Sequence, residues 1–158
     1  TLPRITDMGV PGYLVSFTAN LIIAQRLVRK VCDHCKSKVK LQMKDLKSLE
    51  KEVRASRIYE LAKKYKTAGA RASFKDVEFY RGAGCAKCGQ TGYKGRVGIY
   101  EVMEVTPVIQ TIINENGTAD KIKKAALDQG MVTMMEDGIL KSMMGVTTIE
   151  EVLRVTRE

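Results

Sequence analysis

Two Cys-x-x-Cys pairs, Cys32-Asp33-His34-Cys35 and Cys85-Ala86-Lys87-Cys88, constrain this chain more than any other feature. Two residues between thiolates let a turn aim both sulfurs at one cation, and two such turns complete a tetrahedral sulfur shell with bonds of about 2.3 Å. The segments around residues 32–35 and 85–88 must then meet in space, whatever lies between them. Gly84, Gly89 and Gly92 suit tight backbone turns beneath the metal, where a side chain would clash. Four thiolates leave no position for a catalytic water. The expected ion is therefore structural zinc held by Cys32, Cys35, Cys85 and Cys88, and its binding energy is folding energy for the paired loops.

Other uses of these thiols remain open on the sequence alone. A thioredoxin-like redox pair belongs at a helix start beside a βαβ pattern, which the sequence does not show. Structural disulfides suit an oxidising compartment. Iron–sulfur ligation also uses four cysteines, usually with different clustering. His34 is the chain's single histidine; with four cysteines available, it is expected as an outer or exposed residue. A Ser-His-Asp or Cys-His catalytic constellation would rest wholly on His34, and no Gly-Lys dipeptide exists to form a Walker phosphate loop. No catalytic residue is assigned.

Charge is concentrated. The 158 residues carry a net charge of +9. Residues 26–75 hold 16 Lys and Arg against 5 Asp and Glu, so the remainder is close to neutral. Such a stretch attracts nucleic-acid phosphates, anionic lipid or an acidic protein face, and is otherwise a solvated helix surface. No apolar run approaches the roughly 20 residues that cross a bilayer, and Thr1-Leu2-Pro3-Arg4 lacks the apolar core of a secretion signal. A cytosolic piece of a larger protein is expected.

The pattern predicts an α+β fold, predominantly helical. Leu14, Phe17, Thr18, Leu21 and Ile22 recur at helical spacing after Pro11 and Gly12. Residues 25–31 suit a short strand or a helix end. Residues 96–103, rich in branched and aromatic side chains and closed by Thr106-Pro107, read as a strand. If these two segments pair, everything between them is an insertion carried on a β-hairpin. Within it, residues 41–66 read as helical through Leu41, Leu46, Leu49, Val53, Ile58, Leu61 and Tyr65. From Thr106 onward the sequence predicts a bundle of four helices, punctuated by Gly117, Gly130 and Gly145, with Thr118 capping the second and Thr147 with Glu150 forming a capping box on the fourth. Met131, Met134, Met135, Met143 and Met144 read as packing residues.

Several stretches together resemble one family. Asp7-Met8-Gly9-Val10, then residues 20–29 leading into Cys32-x-x-Cys35, and residues 79–85 with Cys88, then Thr91-Gly92-Tyr93-Lys94-Gly95-Arg96-Val97-Gly98-Ile99-Tyr100-Glu101-Val102-Met103, are similar to the region after the catalytic core of type IV pilus assembly and type II secretion ATPases. Residues 37–75 depart from the family's pattern and are longer and more basic. The resemblance implies a carboxy-terminal region of a hexameric cytoplasmic motor, peripheral to the inner membrane. In the parent a RecA-like domain hydrolyses ATP with Mg²⁺ and drives an inner-membrane platform protein that adds or expels pilin-like subunits. Residues 1–31 would be the tail end of the motor domain, 32–95 the zinc-binding insertion with a basic helical arm, and 96–158 a strand and helical subdomain giving subunit contacts. Lacking Walker motifs, the chain alone should be inactive. An anionic lipid surface is a further expected partner of the basic arm. The alternative is a zinc-ribbon nucleic-acid-binding protein, which would need the interleaved aromatics this chain lacks; a cysteine-rich chaperone module repeats its knuckles more often.

Overall fold

The segment that the sequence leaves between strand and helix end is a strand. β1 (Leu21–Val31) pairs with β4 (Tyr93–Glu104) in a two-stranded sheet. Along β1, Ile22, Arg26, Val28 and Lys30 are at least half-buried, while Leu21, Ile23, Gln25, Leu27 and Arg29 are exposed, an alternation of covered and open faces interrupted at the exposed Ala24. The computed structural model describes residues 2–41, 49–50, 53–65 and 77–157. It is an α+β structure with a second small sheet. There β2 (Lys36–Val39) runs antiparallel to β3 (Phe79–Gly82), with Lys36 opposite Gly82 and Val39 opposite Phe79.

The chain divides into two compact units. The first comprises Thr1–Ala24 and Glu101–Thr133, with helices α1 (Leu2–Asp7), α2 (Gly12–Thr18), α4 (Pro107–Asn114) and α5 (Ala119–Asp128). Its core is Val105, Ile109, Ile113, Ile122 and Ala126, covered by Ile22, Met103, Ile112 and Met131. Thr118 caps α5 by accepting the Lys121 N–H. Thr106 occupies the N-cap of α4 with Pro107 at its first turn, but its hydroxyl faces the Gln129 side chain rather than the helix amides.

The expected first helix is shorter than its pattern. It stops at Thr18, and Leu21 and Ile22 belong to β1, because the β-branched Ile22-Ile23 run gains a ladder partner in β4. Val15 and Ser16 are its buried residues; Leu14 and Phe17 stay exposed.

The second unit comprises Gln25–Tyr100 and Met134–Glu158, with α3 (Ala55–Lys64), α6 (Met134–Met143) and α7 (Ile149–Thr156). Helix α3 buries Ile58, Leu61 and Ala62 and packs on α6, where Arg57 reaches the buried Glu136. Tyr65, expected in its apolar stripe, is exposed, and residues 42–48, 51–52 and 66 of the expected 41–66 helix lie outside the described residues. Helices α6 and α7 pack closely: a Cβ on Gly138 would come within 2.5 Å of a Val152 methyl. Of the methionines, Met143 is buried, whereas Met144 is exposed.

The N-cap of α7 lies one residue later than the expected capping box places it. Thr148, not Thr147, is the N-cap and accepts the Glu151 N–H, while the Thr147 hydroxyl donates to the Arg29 carbonyl at 2.8 Å. Glu151, in the first turn of this helix, is the anchor of the unit. It is 1% exposed, and its carboxylate accepts from the Arg29 guanidinium at 2.6 Å, the Arg29 N–H at 3.0 Å and Arg154 at 2.9 and 3.0 Å. Burial disfavours this charge, but the Arg154 and Arg29 hydrogen bonds outweigh it and hold the carboxyl at about 2, below its ordinary 4.5.

A depressed folded-state value means that this stabilisation is complete above about pH 4.5 and is lost as pH falls towards about 2. Urea unfolding from about pH 6 to about pH 2 should show a fall in midpoint in that window. Glu151→Gln should cost about 1–3 kcal/mol at neutral pH and flatten the fall; an unchanged pH profile in the variant would contradict the assignment.

Candidate four-thiol site

Two turns build the site. The first follows β1, with the Cys35 N–H donating to the Cys32 carbonyl at 3.2 Å. The second follows β3 as a 3-10 turn, Ala86–Cys88, with the Cys88 N–H donating to the Cys85 carbonyl at 3.1 Å and Gly89 closing it in the left-handed conformation. The two turns are joined directly. Cys32 N–H donates to the Gly92 carbonyl at 2.9 Å, and Ala83 N–H to the Cys35 carbonyl at 3.0 Å.

Gly82 and Gly92 make this approach possible. A Cβ at Gly82 would lie 2.1 Å from the Gly92 carbonyl oxygen, and one at Gly92 would lie 2.5 Å from the Gly82 oxygen, with Gly92 at φ +77°. Backbone occupies the space where any other side chain would stand.

All four sequence-predicted cysteines come together. They are free thiols; Cys32 is buried and the other three are half-buried. Their sulfurs lie within 4.8 Å of one another. The closest separations are 3.9 Å for Cys32–Cys85, 3.9 Å for Cys35–Cys88 and 3.7 Å for Cys85–Cys88. A tetrahedron with bonds of about 2.3 Å has sulfur–sulfur edges of about 3.8 Å, so the cage has the size that a four-thiolate metal ion requires. His34 does not join it: the ring is exposed, with Nδ1 3.4 Å from Lys87 Nζ.

The sulfurs are unequal. Burial raises the Cys35 thiol, and its hydrogen bonds with the other three thiols add to this against one opposing Gly84 N–H, pushing it up to about 12. Burial also raises Cys88, but the N–H groups of Cys85 and Gly92, 3.2 and 3.3 Å from its sulfur, favour the thiolate and bring it down to about 6. Backbone amides aimed at a sulfur leave no mark in residue identity, and sequence reasoning gave no sign of them beyond the spacing of Gly89 and Gly92. Thr91 extends the same support, its hydroxyl 2.7 Å from the Cys88 carbonyl.

The fold and site thus define an α+β module whose second unit closes on a four-thiol cage fit to hold a metal ion. Residues 1–154 match the family model described as type II/IV secretion system protein, and the chain belongs to that family. The chain is 42% identical, over its full length, to the type IV pilus assembly ATPase PilB of Pseudomonas aeruginosa, of which it covers 25%. It is 37% identical over 99% of its length to the protein of the same name in Thermus thermophilus, covering 16% of that protein. It is 32% identical over 98% of its length to the type II secretion system ATPase E of Vibrio cholerae, covering 27%. The chain therefore spans about a quarter or less of the length of these relatives.

Gly92→Ala should destabilise the chain by about 1–3 kcal/mol, because it adds a backbone clash to a left-handed conformation. Gly95→Ala, at φ +82° with nothing within 4 Å of its Cβ, should cost only about 1 kcal/mol. Denaturant unfolding of the two variants side by side checks the difference; equal losses would remove the close approach as the cause.

Proposed function

We propose that this chain is the carboxy-terminal part of a hexameric cytoplasmic motor for type IV pilus assembly, in which Cys32, Cys35, Cys85 and Cys88 hold one structural zinc ion. The observation that carries the metal reading is the sulfur cage, whose edges of 3.7–3.9 Å suit zinc–thiolate bonds. Four soft ligands in a tetrahedral set favour zinc among the divalent ions, and a closed shell gives it a structural role. The identities of 42% and 37% to pilus assembly ATPases, against 32% to a secretion ATPase, favour assembly over secretion.

On this reading residues 1–31 are the tail of the RecA-like motor domain, and the β1–β4 hairpin carries residues 32–95 as an insertion. Residues 96–158 supply a strand and four helices that close the motor and contribute subunit contacts. ATP and Mg²⁺ act in the longer protein, whose Walker residues are not in this chain, so the chain alone turns over no ATP. The motor works beneath the inner membrane, against a platform protein that receives pilin-like subunits. The basic arm, with Arg54, Lys63 and Lys64 exposed on α3 and its flank, faces anionic lipid or that platform. The nucleic-acid-binding alternative draws on the same thiol cage and basic stretch, but the relatives are pilus assembly and secretion ATPases.

Elemental analysis of the purified chain should find about one zinc per chain, and Cys32→Ser or Cys88→Ser should reduce this several-fold and lower the thermal midpoint. Absence of stoichiometric metal in the parent chain would end the zinc reading. Sedimentation with anionic vesicles should weaken with added salt and in a Lys63→Glu, Lys64→Glu double variant; binding indifferent to both would remove the lipid contact.

A further inference from the structure

Three strands converge on the cysteine turns, and each sends one side chain to the same helix start. β1 runs into Cys32, and its Arg29 binds Glu151. β3 runs towards Cys85, and its Arg81 binds Glu150. β4 leaves the Cys88 turn, and the hydroxyl of Tyr93 lies 3.1 Å from that of Thr148. Thr148, Glu150 and Glu151 are the N-cap and first turn of α7. Two backbone-level contacts run alongside, from Val31 N–H to the Val146 carbonyl at 3.0 Å and from the Thr147 hydroxyl to the Arg29 carbonyl.

Tyr93 holds the central place. Its neighbour Gly92 donates to the Cys88 sulfur and accepts from Cys32 N–H, so it is bonded to both turns. The Tyr93 N–H lies 3.3 Å from the Thr91 hydroxyl, which in turn contacts the Cys88 carbonyl. The ring carries the Arg29 guanidinium 4.1 Å from its centroid. Thr148 accepts the Glu151 N–H, and its hydroxyl shares a hydrogen bond with that of Tyr93.

We infer that occupancy of the four-thiol cage fixes the first turn of α7 through Arg29, Arg81 and Tyr93, so that metal binding and ordering of this helix form one coupled equilibrium. The inference rests on the metal reading above. An exposed ion pair holds little when its partners move independently. Arg81 and Glu150 are both substantially exposed, so their grip depends on strand ends that cannot shift, which a bound ion supplies. Coupling is reciprocal: whatever loosens the first turn of α7 also weakens metal binding by the same factor.

Hydrogen exchange on the whole chain tests this, comparing zinc-loaded protein, protein stripped with a chelator, and stripped protein given zinc chloride again. Amides of α7 should exchange at least about tenfold faster when stripped and recover on zinc addition, while those of α5 stay unchanged. Tyr93→Phe removes the hydroxyl that meets Thr148 without touching a thiol. With zinc bound, it should speed α7 exchange about threefold and weaken zinc affinity, read by competition with a chromogenic chelator, by a similar factor. Zinc uptake with no response in α7, loss of α7 and α5 protection in a single step, or a Tyr93→Phe variant unchanged in both readouts would overturn the coupling alone. A chain that takes up no zinc overturns the metal reading and the coupling together.

Discussion

Four sulfurs from turns 53 positions apart in sequence must meet within 4.8 Å, and the second unit is arranged around that requirement. Covalent connectivity cannot satisfy it, because the intervening chain is long. Two ladders do: β1 with β4 delivers Cys32 beside Gly92, and β2 with β3 delivers Cys35 beside Ala83. The ladders converge only because two glycines, 82 and 92, let carbonyl and backbone carbon stand where side chains would otherwise collide. The cage is thus a property of backbone spacing first and of thiol chemistry second.

Charge is handled on the same principle of local completeness. Glu151 is buried among α7, β1 and the start of the cysteine turns, where an unpaired carboxylate would be costly. Four hydrogen bonds from Arg29 and Arg154 offset that cost. Because the arginines keep their outer sides in water, neither pays the full desolvation of a buried pair. Among the described residues no buried side-chain nitrogen or oxygen lacks a partner.

Legibility in the sequence followed the range of the interactions involved. The cysteine quartet was readable because metal-ligand spacing is local and its chemistry narrow. The helices α4 to α7 were readable because Pro107, Thr118, Gly130 and Gly145 punctuate them at positions fixed by backbone geometry. Leu21 and Ile22 were misplaced in a helix because their spacing fits one, and only the partner strand some 80 residues later decides otherwise. The β2–β3 pair escaped notice because Lys36-Ser37-Lys38-Val39 has almost no apolar alternation; its register comes from the cysteine turns next to it. The cap at Thr148 rather than Thr147 turned on a single long-range hydrogen bond to Arg29. The unequal sulfurs depend on amide directions, which residue types do not encode.

The β2–β3 rungs have an architectural effect that reaches past the sulfurs. Val39 lies opposite Phe79, so the excursion between them leaves and re-enters the module at adjacent points. The excursion is also fastened at a second place, because its helix α3 buries Ile58, Leu61 and Ala62 and packs on α6. Material of a different size can be spliced in beyond the β2–β3 rungs only where it leaves α3 seated on α6.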